Sequence, residues 1–226
     1  IPNGAPEFRY AHHEIVEEAQ HCMMFQEFIN RTKWDVKGIP TPILRATTFV
    51  TILGAFFPSL FMFFVLIGEG PIDTEQKKVL KGEHIPPLLR RILQVHANEE
   101  SRHIGFAMAY LNRMVPKLPA WRRWLLGLMI PFIAAVIANA ILLVEVRDTR
   151  KFGIGWRSWL KHASHPEVRS HVARCLQSVR VQCVHLGLMH CSARFFWKLF
   201  GIFGENLVQL SKRSEDQLES KLSEAS

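Results

Sequence analysis

Apolar residues recur at helical spacing through most of the chain, and proline and glycine separate the successive apolar segments. β-branched runs are short, and the Asn-Gly or Asp-Gly pairs that close two-residue hairpins do not occur in the body of the chain. This pattern predicts an all-α protein. The predicted helices cover residues 6–31, 42–68, 73–80, 87–115, 119–150, 166–200 and 204–222.

Two proline-containing segments set the main predicted boundaries. The Gly-Glu-Gly-Pro segment at residues 68–71 predicts the end of the second helix, and the proline pair at residues 86–87 suits the first turn of a later one. We expect residues 1–200 to form one helical domain and residues 201–226 to form a polar helix or tail.

Residues 48–67 and 124–144 are each long and apolar enough to span a bilayer. Each stretch contains a proline near its middle, Pro58 and Pro131, and the second also contains Asn139. The mean hydropathy of the whole chain is only +0.06, and a helix that is apolar all round is also typical of the centre of a helical protein. We therefore expect both stretches to lie in a protein core rather than in a membrane.

Hydrophobic residues make up 48% and charged residues 21% of the chain, which is typical of globular proteins and excludes general disorder. The formal net charge is +8, and residues 116–198 carry the excess, with 13 basic against 3 acidic side chains. This region has no run of five or more Lys or Arg and no recognised nucleic-acid-binding motif. We therefore expect solvated basic helix faces and no nucleic-acid partner.

The four cysteines of the chain, Cys22, Cys175, Cys183 and Cys191, are too few for a disulfide scaffold. The last three recur every eight residues, which fits a helix better than a Cys-x-x-Cys metal site. We expect free thiols and a cytoplasmic location, because thiols stay reduced in that compartment.

Two matching Glu-x-x-His motifs are the strongest functional signal in the sequence. Glu18 and His21 form the first, and Glu100 and His103 form the second. Residues three apart on a helix differ by about 60° and lie one turn apart, so both side chains of a motif can reach one ion. Carboxylate oxygen with imidazole nitrogen suits iron or manganese. Two such motifs predict a ferritin-like bundle with a di-metal carboxylate core.

That type of core also requires one glutamate from each of two other helices. Glu69 occupies the second of these places in chain order, and it is the only carboxylate between Asp35 and Asp73. A solvated helix end is the alternative interpretation of Glu69. The earlier glutamate has no counterpart, since Glu7 lies about 16 Å along the helix from Glu18. We expect the missing ligand to belong to a helix upstream of Ile1, in which case this chain is a fragment or a processed form.

His96 extends the second motif. It precedes Glu100 by four residues and His103 by seven, so the three side chains fall within a sector of about 60° on one helix. Taken alone, His96 is equally well interpreted as a surface or core histidine. Beside Glu100 and His103, a third histidine ligand is the better interpretation.

The segment from His96 to His103 resembles the extra-histidine motif of the p-aminobenzoate N-oxygenase (AurF-type) family of non-haem diiron enzymes. The segment from Glu14 to His21 resembles that family's first Glu-x-x-His helix, and Glu69 sits where the helix of its bridging glutamate ends. The resemblance covers residues 6–115. It implies two iron ions held by four glutamates and three histidines, within a ferritin-like helical bundle whose first helix this chain lacks. Six of the seven ligands have counterparts here: Glu18, His21, Glu69, His96, Glu100 and His103.

The resemblance also implies a reaction. Two ferrous ions activate O₂ as co-substrate, and the oxygen is transferred to a small-molecule amine such as an arylamine, with an unidentified electron donor. Glu14, one turn before Glu18, is either a partner of a ligand histidine or a solvated acid. We expect Glu17 and Glu99, one residue off the ligand stripe, to be surface acids or helix-pair partners. A homodimer is left open.

Two other functions remain as alternatives. The paired motifs also fit a different diiron oxidase, including a membrane-associated quinol-oxidase type, which the two long apolar stretches favour and His96 disfavours. A non-catalytic ferritin-like or membrane-surface helical protein is the alternative from another class, and its basic half is the feature in favour. Metal content and solubility without detergent distinguish the three functions.

Overall fold

A computed structural model describes residues 4–32, 41–142 and 153–204 of the 226-residue chain. Within these ranges the chain forms nine α-helices, one 3-10 turn at Val115–Lys117 and no strand. The all-α prediction is confirmed. The helices are α1 (Pro6–Thr32), α2 (Thr41–Phe56), α3 (Pro58–Leu80), α4 (Pro87–Met114), α5 (Ala120–Leu142), α6 (Trp156–Ala163), α7 (Pro166–Cys175), α8 (Gln177–His185) and α9 (Cys191–Leu199).

α3 is the central helix of the fold. It packs against α2, α4, α5, α7 and α8, and its Leu60, Phe63 and Ile67 side chains are fully buried. Leu111 of α4 and Ile130 of α5 belong to the same core. Burial on several sides explains why α3 is apolar all round. α1 packs against α4, so the two predicted Glu-x-x-His helices are neighbours.

The predicted helix over residues 42–68 is wrong in two places: the structure divides it at Phe57, and its second part continues beyond residue 68. The chain breaks at Phe57 and restarts with Pro58 in the first turn of α3, where the missing N–H of proline costs no hydrogen bond. α3 then continues through Pro71 to Leu80, although an interior proline costs about 3 kcal/mol. Pro71 is itself buried, and the extensive packing of α3 offsets this cost. The hydroxyl of Thr74 donates to the carbonyl of Gly70, at 2.9 Å.

The single helix predicted over residues 166–200 is divided into α7, α8 and α9. Leu176 separates α7 from α8, and Gly187, with a φ of +67°, ends α8 in the left-handed conformation that favours glycine. Nδ1 of His190 accepts from the backbone N–H of Ala193 at 3.3 Å and caps α9. α6 has no counterpart among the predicted helices. The predicted segments 143–150 and 205–222 lie outside the described residues.

One described helix, α5, is long and apolar enough to cross a membrane by the criteria of length and hydropathy. Only 39% of its most apolar window is buried. Ile130 and Ala134 nevertheless belong to the core, and α5 packs against α3 and α9. The core helix of a large helical protein has the same composition. The other apolar stretch, residues 48–67, is divided between α2 and α3.

Leucine-to-alanine substitutions in α4 test the position of the core. Leu111 is fully buried, whereas Leu88 on the same helix is 51% exposed. Leu111→Ala should lower the free energy of unfolding by about 2–5 kcal/mol, because it leaves a cavity. Leu88→Ala should change it by no more than about 0.5 kcal/mol. Urea denaturation followed by circular dichroism measures both, and equal losses would contradict this description of the core.

Candidate metal centre

The two Glu-x-x-His motifs meet between α1 and α4. α1 carries Glu18 and His21, and α4 carries Glu100 and His103. Because the partners in each motif are three residues apart, they lie on the same face of their helix. His21, Glu100 and His103 are buried, and Glu18 is partly exposed at the edge of the cluster. The packing of α1 against α4 brings the two motifs together as the sequence predicts.

The carboxylate of Glu100 lies between the two histidines. Its Oε1 is 3.1 Å from Nδ1 of His21, and its Oε2 is 3.3 Å from Nδ1 of His103. Oε1 of Glu18 is 3.1 Å from the same Nδ1 of His103 and 3.8 Å from Nδ1 of His21. Both Nδ1 atoms therefore face the same pair of carboxylates.

His96 lies on α4 one turn before Glu100, and its side chain belongs to the same cluster. Its Nε2 lies 3.4 Å from Oε1 of Glu100, while its Nδ1 lies 3.0 Å from Oε1 of Gln76 on α3. Nδ1–H donates to that amide oxygen, which leaves the lone pair of Nε2 directed toward Glu100. Burial, together with the neighbouring His21, lowers the pKa of His96 to about 4. His96 is therefore neutral at neutral pH, as a metal ligand must be.

The outer nitrogens of the two motif histidines are bound by carboxylates from the opposite helix. Nε2–H of His21 donates to Oε2 of Glu99 at 2.6 Å, and Nε2–H of His103 donates to Oε2 of Glu17 at 2.9 Å. Glu17 also accepts from the guanidinium of Arg102. Each helix thus supplies the carboxylate that orients the histidine of the other, so that Nδ1 of both rings carries the lone pair that a metal ligand needs.

Of the two interpretations of Glu17 and Glu99, that of surface acids is therefore wrong, and both residues are partners across a helix pair. Glu17 is buried and Glu99 is partly buried. A step of one residue turns a helix by about 100°, which directs these two side chains across to the neighbouring helix rather than to solvent. Both motifs read Glu-Glu-x-x-His, and that repeated first glutamate is the signal that sequence reasoning missed. Gln76 carried no such signal.

Glu69 reaches the cluster from the middle of α3. Its carboxyl group shares a hydrogen bond with that of Glu100. Burial raises the pKa of Glu69, and the nearby carboxylate of Glu18 raises it further. Glu69 is thus partly buried inside a helix, which is inconsistent with the alternative of a solvated helix end.

Crowding of carboxylates dominates the electrostatics of the cluster. Burial raises the pKa of Glu100 well above its ordinary value, and the charges of Glu69 and Glu18 add to this effect. Three carboxylates this close repel one another when ionised. A cation between them would favour the ionised forms.

Glu14 borders the cluster without bonding to it. Its Oε1 is 3.9 Å from Nδ1 of His103, beyond hydrogen-bond distance, and its side chain is 21% exposed. Burial raises its pKa. The histidine partners are Glu17 and Glu99, and Glu14 is a partly buried acid beside them.

Unsatisfied buried atoms provide a test of whether these residues suit metal ions. Nδ1 of His21 and Oε1 of Glu100 are buried and have no hydrogen-bond partner, although they lie only 3.1 Å apart. Two ligand atoms about 2.1 Å from one ion and at right angles are about 3 Å apart. Buried polar atoms without partners are costly unless something else binds them. The spacing and the lone pairs both fit a shared cation.

The same atoms form two groups of three, each with its ligand atoms within 4.8 Å of one another. Glu100 belongs to both groups, and every donor in them is nitrogen or oxygen. Such donor sets suit iron or manganese. The groups are His21, His96 and Glu100, and Glu18, Glu100 and His103.

Comparison with known proteins agrees with this geometry. A family model described as P-aminobenzoate N-oxygenase AurF matches residues 1–187. An uncharacterised protein of Mycobacterium bovis and two from Mycobacterium tuberculosis strains are each 36% identical over 208 residues, which cover 91% of this chain and 61% of the relative. The chain thus spans about three fifths of the length of these relatives. No solved structure gives a significant match.

The family match covers most of the chain, including α1, α3 and α4, which carry the site. The described helices and the paired motifs agree with it, so the predicted ferritin-like helical fold is confirmed. This chain belongs to the p-aminobenzoate N-oxygenase AurF family.

Proposed function

We propose that this chain forms a non-haem diiron centre that uses O₂ to oxygenate an amine, with arylamines as the substrate class. Membership of the N-oxygenase family supports the chemistry. The observation that carries the proposal is the position of Glu100, whose two oxygens face two separate groups of ligand atoms. A carboxylate shared in this way is suited to bridge two ions.

The proposed ligands divide into two sets around Glu100. His21 and His96 would hold one iron, and Glu18 and His103 would hold the other. When bound, the two ferrous ions would supply electrons for the activation of O₂. The set with His96 contains one more nitrogen than the other set, so the two irons would have different ligand environments.

Glu69 is proposed as a further ligand, supplied by α3. Its carboxyl group already contacts that of Glu100 through a hydrogen bond. Because α3 is the most extensively packed helix of the core, a carboxylate on it has a fixed position relative to α4. A ligand on a rigid helix is held more accurately than one on a loop.

Each proposed ligand histidine is held by a polar group on its other ring nitrogen. Such partners fix the tautomer and orientation of the ring and raise its basicity toward a metal. The pairs are His21 with Glu99, His103 with Glu17, and His96 with Gln76.

We also propose that a separate electron donor serves this centre. A further proposal is a cytoplasmic location, and it rests on the cysteines. All four cysteines are free, and Cys22 and Cys191 are exposed. Exposed free thiols are typical of proteins in a reducing compartment.

Iron loading tests the diiron proposal. The full chain, loaded anaerobically with ferrous iron, should bind about two ions, and Glu100→Ala should bind less than one, since Glu100 belongs to both ligand sets. Glu27→Ala is the matched control, because Glu27 is exposed on α1 and pairs with Arg31. Elemental analysis measures the stoichiometry. A value near zero for the parent, or equal loading of the parent and Glu100→Ala, would contradict the proposal.

The role of the carboxylates that bind the ligand histidines can be tested by substitutions that leave every proposed metal ligand in place. Glu99→Ala should weaken ferrous affinity by about 10–100-fold, because His21 loses the group that fixes its tautomer. Its helical circular dichroism should match that of the parent. Glu27→Ala should leave the affinity unchanged. Titration with a competing chelator measures both, and an unchanged affinity in Glu99→Ala would contradict the assigned role.

His96→Ala separates an N-oxygenase-type centre from a plain ferritin-like one. Loss of a ligand should alter the optical spectrum that follows mixing of the ferrous protein with O₂, and should lower oxygenation of p-aminobenzoate by at least about tenfold. His84→Ala is the control, because His84 is exposed in the connection between α3 and α4. If His96→Ala matches the parent in spectrum, iron content and turnover, His96 is not a ligand.

A further inference from the structure

A second cluster of metal-ligating side chains lies between α3 and α7, outside the Glu-x-x-His site. α3 contributes Glu75, and α7 contributes His171 and Cys175. His171 and Cys175 are four residues apart and therefore share one face of α7. Because α7 packs directly against α3, that face meets Glu75. None of the three residues takes part in the proposed diiron centre.

The three ligand atoms have separations close to those of a tetrahedral ion. Oε1 of Glu75 is 3.3 Å from Nε2 of His171 and 3.3 Å from Sγ of Cys175. Sγ is 3.9 Å from Nε2. An ion with bonds of about 2.3 Å to sulfur and about 2.1 Å to nitrogen and oxygen, at tetrahedral angles, places these atoms about 3.4–3.6 Å apart. The observed separations bracket that range.

The cluster is anchored in the core at one end and open at the other. Cys175 is buried, whereas the side chains of His171 and Glu75 are 31% and 36% exposed. A metal ion can therefore enter from the imidazole side without unfolding of the helices. A fourth coordination position toward solvent is left for water, as in sites with three protein ligands.

The ammonium group of Lys78 pairs with the carboxylate of this cluster. Nζ of Lys78 is 2.8 Å from Oε1 of Glu75 and 3.4 Å from Nδ1 of His171. Its side chain is 53% exposed, so it can turn into solvent when a cation arrives. An exposed ion pair of this kind contributes at most about 1 kcal/mol, which is small beside typical metal affinities.

We propose that Glu75, His171 and Cys175 bind a soft divalent cation of the zinc class. A thiolate with imidazole favours zinc over magnesium or calcium, which prefer oxygen ligands alone. On binding, the metal–sulfur bond replaces the S–H bond of Cys175, and the released proton goes to solvent without a change of oxidation state. The ion would join α3 to α7 and stabilise their packing.

Cobalt reports this site independently of the diiron centre. A thiolate bound to Co²⁺ gives a near-ultraviolet charge-transfer band, which the oxygen and nitrogen ligands of the diiron centre do not give. We would use the full chain with Cys22→Ser and Cys191→Ser, which removes the exposed thiols. The band should appear on addition of Co²⁺, disappear when Cys175→Ser is added, and persist with Cys183→Ser, a buried cysteine outside the cluster.

A histidine variant provides a second test, because replacement of the buried Cys175 can also disturb the fold. His171→Ala alters a partly exposed side chain, and it should raise the Co²⁺ concentration at half-saturation of the band by at least about tenfold. His162→Ala, an exposed histidine on α6, should leave that concentration unchanged. Zn²⁺ should displace Co²⁺ and abolish the band. The proposal is overturned if the parent shows no band, if the band survives Cys175→Ser, or if His171→Ala titrates like the parent.

Discussion

The crossed carboxylate–histidine pairs between α1 and α4 are the interaction on which the site depends. In α1 the buried residues among those described are Glu17 and His21, both polar, while Ile15 and Met23 are exposed. α1 is therefore attached to α4 largely through hydrogen bonds and charges rather than through apolar burial. Removal of one partner from such a buried pair is costly, because the other is left without compensation.

This arrangement couples the position of α1 to the state of the metal site. Burial raises the pKa of Glu100, and the charges of the neighbouring carboxyl groups of Glu69 and Glu18 add to this effect. Bound cations would remove that repulsion and would join ligands of α1 to ligands of α4. In this account, iron binding and the docking of α1 are parts of one equilibrium.

α3 provides the rigid side of the site. It carries Glu69 just before a buried proline and Gln76 after it, and both side chains contact residues of α4. A helix that ended at residues 68–71 would leave Glu69 at a frayed end and would leave Gln76 without a fixed position. The cost of Pro71 within α3 is thus linked to the placement of two side chains at the site.

Helical periodicity and residue spacing were sufficient to predict the all-α fold, the two motif helices and the grouping of His96 with Glu100 and His103. They were insufficient where tertiary packing determines the ends of a helix or the partners of a side chain. Pro71 looks like a helix terminator until the burial of α3 is known.

The partner residues were hidden for a related reason. The sequence left Glu17 and Glu99 as either surface acids or helix-pair partners, because their partners lie on another helix, about 80 residues away in the chain. Gln76 contacts His96 across the α3–α4 interface. Such contacts depend on how helices pack, which the period of one helix does not specify.

The central claim is that Glu100 separates two metal positions. Crystals of the full chain, soaked anaerobically in ferrous iron, would reveal those positions through anomalous scattering measured at the iron absorption edge. The account predicts two peaks that flank the Glu100 carboxylate, one beside His21 and His96 and the other beside Glu18 and His103. A single peak, or peaks away from Glu100, would contradict it.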